Sequence, residues 1–233
     1  RDVGYRDVAD LVGRDVAVLE RNDPDGKIGM YLDEWGTWYD PEEGSEPGFL
    51  YQQNSVRDAL VAALNFNIFH RHTKRLHMAN IAQTVNVLQA MVLTRGEKML
   101  RTPTYHAFEM YVPFQDATFV PVEHGDVPAY EVGDVSVPHI STTSALTRDG
   151  DLVLALVNLH SREAIDVAVQ VTGFEVGAAV GRVLTGDAID AHNTFDDPEA
   201  VKPAELPVAR DDGGLGLSLP PRSVSVVTLS SRG

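Results

Sequence analysis

The stretch Lys27-Ile-Gly-Met-Tyr-Leu-Asp-Glu-Trp-Gly-Thr-Trp-Tyr39 decides how the first half of the chain is organised. Its apolar run, Ile28 to Leu32, shows no strict alternation, which is typical of a strand buried on both faces of a parallel sheet. Asp33 and Glu34 stand at the C-terminal end of this run. Functional residues of parallel α/β sheets collect at the carboxyl ends of strands, so this acidic end is a candidate site.

The only two tryptophans of the chain, Trp35 and Trp38, follow these carboxylates. Flat aromatic faces beside a carboxylate are typical of a sugar-binding site, whereas the strand pattern alone equally fits Glu34 as a solvated loop residue. We interpret Asp33 as structural, because neighbouring side chains of a strand point to opposite faces and cannot flank one bond.

Helical and strand patterns alternate around this stretch. An apolar stripe from Val8 to Leu19 predicts an amphipathic helix, and Ser55 with Asp58 predicts a capping box that starts a helix ending near His70. This order of elements indicates at least one βαβ unit. Further predictions are a buried strand over 76–82, a helix over 85–92 broken near Gly96, and a short helix over Pro103–Tyr111.

From about Ala117 onward, short β-rich runs are separated by clusters of Gly, Asp, Asn and Pro, including the turn Arg148-Asp-Gly-Asp151. Such spacing predicts an antiparallel β-sandwich. The predicted strands cover residues 118–122, 139–146, 152–157, 165–171, 179–184, 215–219 and 224–229.

Composition narrows the range of partners. The 233 residues are 43% hydrophobic, which suffices for a core, and the net charge of −15 disfavours nucleic acid and anionic membrane surfaces as partners. The chain has no cysteine, and hence neither disulfides nor a thiolate metal site. Without a membrane-length apolar run or a signal-peptide core, we expect a cytoplasmic protein; secretion stays open, because the sequence begins at Arg1.

The histidines His70, His72 and His77 lie among basic residues and could suggest a metal site. Positions i and i+2 of a helix do not share a face, and no carboxylate stands at ligand spacing in this stretch. We interpret the cluster as a basic helix end and a strand entry, and we predict no metal.

Four motifs occur in a fixed order between about Lys27 and Ala117. They are Asp33-Glu-Trp-Gly-Thr-Trp-Tyr39, Gly48-Phe-Leu-Tyr-Gln-Gln53, Arg57-Asp-Ala-Leu60 and Met78-Ala-Asn-Ile-Ala-Gln-Thr-Val-Asn-Val-Leu88. Together they resemble the α-L-arabinofuranosidases of glycoside hydrolase family 51. The resemblance implies that Glu34 is the catalytic nucleophile, on the seventh strand of a (β/α)8 TIM barrel, and that no cofactor takes part.

The resemblance also implies roles for other residues. Gln83 matches the family glutamine that hydrogen-bonds the arabinofuranosyl ring; the alternative is that it caps the helix predicted after it. Trp38 matches the tryptophan that lines the pocket toward the leaving group. Trp35 either joins it in binding substrate or packs in the core. Asn80 could orient a neighbour and is not expected to be catalytic.

The fold expected from this resemblance is α/β plus all-β. Residues 1–116 would form the C-terminal part of a (β/α)8 TIM barrel, namely strands seven and eight, and residues 117–233 a jelly-roll-like antiparallel sandwich. Two strands cannot close a barrel, so we expect the N-terminal half of the barrel to come from further polypeptide, in the same or a second chain. The family acid/base, in an Asn-Glu motif after strand four, would lie there, because this sequence has no Asn-Glu pair.

The implied function is a retaining, exo-acting α-L-arabinofuranosidase that removes terminal non-reducing arabinofuranosyl residues from arabinoxylan or arabinan oligosaccharides. Such an enzyme needs two carboxyl groups ~5–5.5 Å apart. A homo-oligomer, trimeric or hexameric, is also implied. Two alternatives stay open: a non-catalytic carbohydrate-binding or assembly module, and a related retaining glycosidase acting on xylosides or glucans.

Overall fold

The computed structural model describes residues 5–133, 135–211 and 214–232, beginning with alternating helices and strands. These first elements are α1 (Tyr5–Asn22), β1 (Met30–Trp35), α2 (Val56–His70) and β2 (Leu76–Ile81). Strands β1 and β2 pair in parallel, as the βαβ interpretation predicts. Both predicted helices are confirmed, and α2 begins at the predicted capping box and ends at the predicted residue.

Strand β1 differs from the prediction of burial on both faces. Its exposure largely alternates: Met30 and Leu32 pack against the core, whereas Tyr31 is 61% exposed. Among the described strands β1 pairs only with β2. Helices pack against one face of this two-stranded sheet, and the other face stays open. The lack of strict apolar alternation in the sequence of β1 therefore does not mean that this strand is buried on both faces.

The helix predicted over residues 85–92 is wrong. Turns follow β2, and Val92 already belongs to the hairpin of β3 (Val92–Arg95) and β4 (Lys98–Arg101), which turns at Gly96. Apolar residues spaced three and four apart fit a helix, but in short segments this spacing does not separate a helix from a hairpin. The short helix α3 (Pro103–Tyr111) is confirmed, and the Thr102 hydroxyl caps its start.

The second half is an antiparallel sandwich, as predicted. The predicted strands correspond to β5 (Thr118–Val120), β8 (Ile140–Leu146), β9 (Leu152–Asn158), β10 (Ile165–Gln170), β11 (Val176–Leu184), β14 (Gly214–Leu219) and β15 (Ser223–Ser231). Four short strands were not predicted: β6 (Ala129–Val132), β7 (Val135–Pro138), β12 (Ala204–Leu206) and β13 (Ala209–Asp211). One sheet has six strands in the order β12-β11-β15-β9-β8-β5, and the other has three in the order β10-β14-β13.

Two of the three apolar clusters among the described residues hold these parts together. One lies between the two sheets of the sandwich and includes Leu156, Leu217 and Leu229. The other is continuous from the helices onto the six-stranded sheet and joins Ala63 of α2 to Val157 and Val226. The helical segment therefore packs directly on the sandwich. None of the helices in the described part of the chain has the length and apolar character that a membrane crossing requires.

Candidate functional site

Asp33 and Glu34 lie at the carboxyl end of β1, and both side chains are exposed. The pairing of β1 with β2 is irregular between Leu32 and Trp35, a segment that spans both acids. Such irregularities re-aim side chains at strand ends. Strict alternation therefore does not place Asp33 on a different face from Glu34.

Gln83 lies beside this acidic end, two residues beyond β2. Trp35 is in register with Ile81, and the Ala82 amide donates a 3.1 Å hydrogen bond to the Trp35 carbonyl. Both strands therefore end at the same edge, where Glu34 and Gln83 are exposed. Because turns follow β2 instead of the expected helix, Gln83 caps no helix there. Asn80, within β2, is also exposed.

The two tryptophans occupy opposite environments. Trp35 is 6% exposed, and its ring packs against Phe66, Phe69 and Phe108 at centroid distances of 5.6, 5.4 and 6.0 Å. Trp38 is 59% exposed. Of the two tryptophans, Trp35 therefore packs in the core, and Trp38 presents its ring to solvent.

The loop after β1 is fixed by a buried polar network that the sequence did not reveal. The Asp58 carboxylate, read in the sequence only as a helix cap, is fully buried, and Oδ1 accepts from Gln89 Nε2 at 2.7 Å and from the Thr37 hydroxyl at 3.3 Å. The Gln89 amide also donates to the Thr37 hydroxyl. The only sequence signal was the position of Asp58 within the motif Arg57-Asp-Ala-Leu60.

No metal site is evident near these residues. The described residues contain no group of three or more His, Cys, Asp or Glu side chains arranged to bind a metal ion. His70 instead lies at the end of α2, where its ring stacks on Phe114 at 4.9 Å and its Nδ1 is 3.2 Å from the Thr143 hydroxyl. Burial lowers the pKa of His70 to about 4.

Comparison with known proteins identifies the family. The family model described as the α-L-arabinofuranosidase C-terminal domain matches residues 33–223. The chain is 38% identical over 224 residues to an intracellular exo-α-L-arabinofuranosidase of Bacteroides ovatus, covering 96% of this chain and 44% of that protein. It is 28% identical over 211 residues to an intracellular exo-α-(1→5)-L-arabinofuranosidase of Streptomyces lividans, covering 84% of this chain and 31% of the relative.

Solved structures agree with this relationship. A glycoside hydrolase family 51 arabinofuranosidase from Xanthomonas axonopodis pv. citri superposes with a TM-score of 0.91 at 46% identity, covering 95% of this chain and 45% of that one. A family 51 enzyme from Thermotoga petrophila, at 22% identity, shares the fold with a TM-score of 0.79, covering 97% of this chain and 50% of that chain. The chain thus spans half or less of each relative's length. It belongs to the α-L-arabinofuranosidase C-terminal domain family, within glycoside hydrolase family 51.

Proposed function

We propose that this chain carries the nucleophile of a retaining, exo-acting α-L-arabinofuranosidase. The observation that carries the proposal is the shared edge at which β1 and β2 end: Glu34 is exposed at the end of β1, and Gln83 is exposed two residues beyond the end of β2. The exposed ring of Trp38 follows four residues after Glu34 and offers an apolar face to a sugar. The relatives named as exo-acting arabinofuranosidases support the same reaction.

In this mechanism the Glu34 carboxylate attacks the anomeric carbon of a terminal arabinofuranosyl group. An acid outside this chain protonates the departing oxygen, and a covalent glycosyl ester forms on Glu34. The same outside group, now a base, takes a proton from water, which attacks the anomeric carbon and releases Glu34. Gln83 hydrogen-bonds the sugar ring, and Trp38 lines the pocket on the leaving-group side.

We further propose that β1 and β2 are strands seven and eight of a (β/α)8 barrel whose other strands come from the rest of the protein. The open face of β1, with Tyr31 exposed, supports this assignment, as does the chain covering 45% of the Xanthomonas enzyme. Residues 1–116 then belong to the barrel and residues 117–233 to the jelly-roll-like sandwich, although one core joins them.

The proposed substrates are arabinoxylan and arabinan oligosaccharides with terminal arabinofuranosyl groups. The proposed location is the cytoplasm, because two relatives are named intracellular enzymes. The family also suggests a trimer or hexamer, which light scattering on the full protein would test.

The test compares this chain alone with the full protein that contains it, or with a chimera in which it replaces the matching part of the Xanthomonas enzyme. On an aryl α-L-arabinofuranoside we expect turnover only when the rest of the barrel is present. Full turnover by the isolated chain would overturn the assignment of the acid/base to another segment.

Substitution of the nucleophile tests its role directly. Glu34→Ala in the full protein is expected to lower kcat by at least about a thousandfold while sugar binding persists. Asp25→Asn is the control, because it removes an exposed carboxylate at the other end of β1 and should retain most turnover. Unchanged turnover in Glu34→Ala would favour a non-catalytic carbohydrate-binding or assembly module. Preferential turnover of aryl xylosides or glucosides would indicate a different retaining glycosidase.

A further inference from the structure

The Asp58 carboxylate is the meeting point of three segments that are distant in sequence. Its Oδ2 accepts from the Ser55 amide at 2.8 Å, the Ser55 hydroxyl at 3.2 Å and Arg57 Nη2 at 3.3 Å. Its Oδ1 accepts from Thr37 and Gln89. One oxygen therefore caps α2, and the other ties the loops that follow β1 and β2.

Those two loops are the ones that carry the proposed site. Thr37 stands three residues after Glu34, and Gln89 stands six residues after Gln83. Asp58 and Gln89 are both fully buried, so removing one partner would leave buried polar groups unpaired. Gly36 adds a steric constraint, because a Cβ at this position would lie 2.9 Å from Gln89 Cγ.

Hydrogen bonds hold the backbone on both sides of Trp38, whereas its ring is largely exposed. On one side, the Thr37 carbonyl accepts from the buried Gln52 amide at 3.4 Å. On the other, the Tyr39 amide donates to Gln52 Oε1 at 2.8 Å, and Arg57 lies over the Tyr39 ring at 3.7 Å. The exposed indole of Trp38 thus projects from a backbone fixed before and after it.

We propose that Asp58 is a positioning residue that acts through Trp38. By holding Thr37 against Gln89 it sets where the Trp38 ring stands relative to Glu34, and so fixes the wall of the sugar pocket. This inference rests on the proposed function, since it assumes that Trp38 contacts the substrate. Misplacement of such a wall by about 1 Å can cost a hundredfold in rate.

The first test uses the full protein and an aryl α-L-arabinofuranoside. Asp58→Asn and Thr37→Val are each expected to lower kcat/KM by about tenfold to a hundredfold. Thr37→Ser keeps the hydroxyl and is expected to retain parental kinetics. Comparison of Thr37→Val with Thr37→Ser therefore tests the inference even if Asp58→Asn does not fold. Ser55→Ala removes the hydroxyl donor from the other carboxylate oxygen, while the backbone amide donor remains, and is expected to lower Tm without changing kcat/KM. Parental kinetics in Thr37→Val would overturn the inference.

The second test is a double-mutant cycle with Trp38→Ala. If Asp58 acts through Trp38, adding Asp58→Asn to Trp38→Ala should change kcat/KM by less than about threefold. Multiplication of the two separate losses would overturn the inference, because Asp58 would then act by another route. Failure of the proposed function is distinguishable, since it appears as undiminished turnover in Glu34→Ala.

Discussion

Asp23 and Arg75 form a buried ion pair that joins the end of α1 to the start of β2. Arg75 Nη1 lies 2.7 Å from Asp23 Oδ2, and the two side chains are only 6% and 10% exposed. The Ile28 amide donates to the same carboxylate oxygen at 2.7 Å, and Arg75 also donates to the Ile28 carbonyl at 3.1 Å. The pair lies at the opposite end of the strands from Glu34, where a role in stability is expected rather than one in turnover.

Asp23→Asn is therefore expected to lower Tm by several degrees, because Arg75 would be left buried without its counter-charge. The matched control is Asp25→Asn, which removes an exposed pair with Lys27 in the same loop and should leave Tm nearly unchanged. Thermal unfolding followed by circular dichroism measures both variants. Equal losses of Tm in the two variants would contradict the prediction that the buried pair stabilises the fold more than the exposed pair.

The Asp23 carboxylate also makes the stability of the fold depend on pH. The hydrogen bond from the Ile28 amide, followed by that from Arg75, lowers the pKa of Asp23 below its ordinary value. A lowered folded-state pKa stabilises the fold above the unfolded-state pKa, and this contribution is lost as pH falls through the folded-state pKa. As the pH is lowered below about 4, the Tm of Asp23→Asn should therefore fall by less than the Tm of the parent protein.

The two tryptophans should respond in opposite ways to replacement by alanine. Trp35→Ala removes a buried ring from an aromatic cluster and is expected to lower the free energy of unfolding by about 3–5 kcal/mol. Trp38→Ala removes an exposed ring and should change it by less than about 0.5 kcal/mol while lowering kcat/KM of the full protein.

Urea unfolding and kinetics on the same preparations separate these effects. Trp35→Phe provides a further control: Trp35 Nε1 has no hydrogen-bond partner among the described residues, so this change forfeits ring volume but no hydrogen bond. Trp35→Phe should lower the free energy of unfolding by less than Trp35→Ala does. A Trp38→Ala variant with parental kinetics would contradict the proposed substrate contact.

His70 is expected to weaken the fold as pH falls. Burial lowers its pKa from 6.5 to about 4, so the unfolded chain binds a proton in this window that the folded chain does not. Stability should therefore fall as pH drops from about 6.5 to about 4, by up to about 3 kcal/mol. His70→Phe should flatten this part of the pH–stability curve. A parental slope in His70→Phe would rule out this origin.

Gln83 should act on turnover and not on stability. Its side chain is exposed and caps no helix, so Gln83→Ala is expected to keep the parental Tm. Loss of a hydrogen bond to the sugar should lower kcat/KM by roughly tenfold in the full protein. Gln53→Ala, at a half-buried glutamine in the loop after β1, is the matched control. A fall in Tm with unchanged kinetics would contradict the binding role.

Local signals in the sequence determined most of the secondary structure. The capping box of Ser55 and Asp58, the apolar stripe of α1 and the alternating runs of the sandwich each depend on residues a few positions apart, and all three are confirmed. The predicted helix over 85–92 was wrong, because its apolar spacing suits a helix and a hairpin equally and packing decided between them. The candidate site residues could be proposed from the motifs, since Glu34 stands near the end of β1 and Gln83 two residues beyond β2.

What the sequence by itself determined is the order α1-β1-α2-β2 and the edge at which Glu34 and Gln83 stand. Tertiary structure alone decided that Trp35 is buried while Trp38 is exposed, that Asp58 joins the two site loops, and that Asp23 pairs with Arg75. The physical reason is the separation of the partners along the sequence. Hydrogen bonds and ring contacts between residues 31 to 52 positions apart depend on how α1, α2, β1 and β2 pack against one another, and no local pattern records that packing.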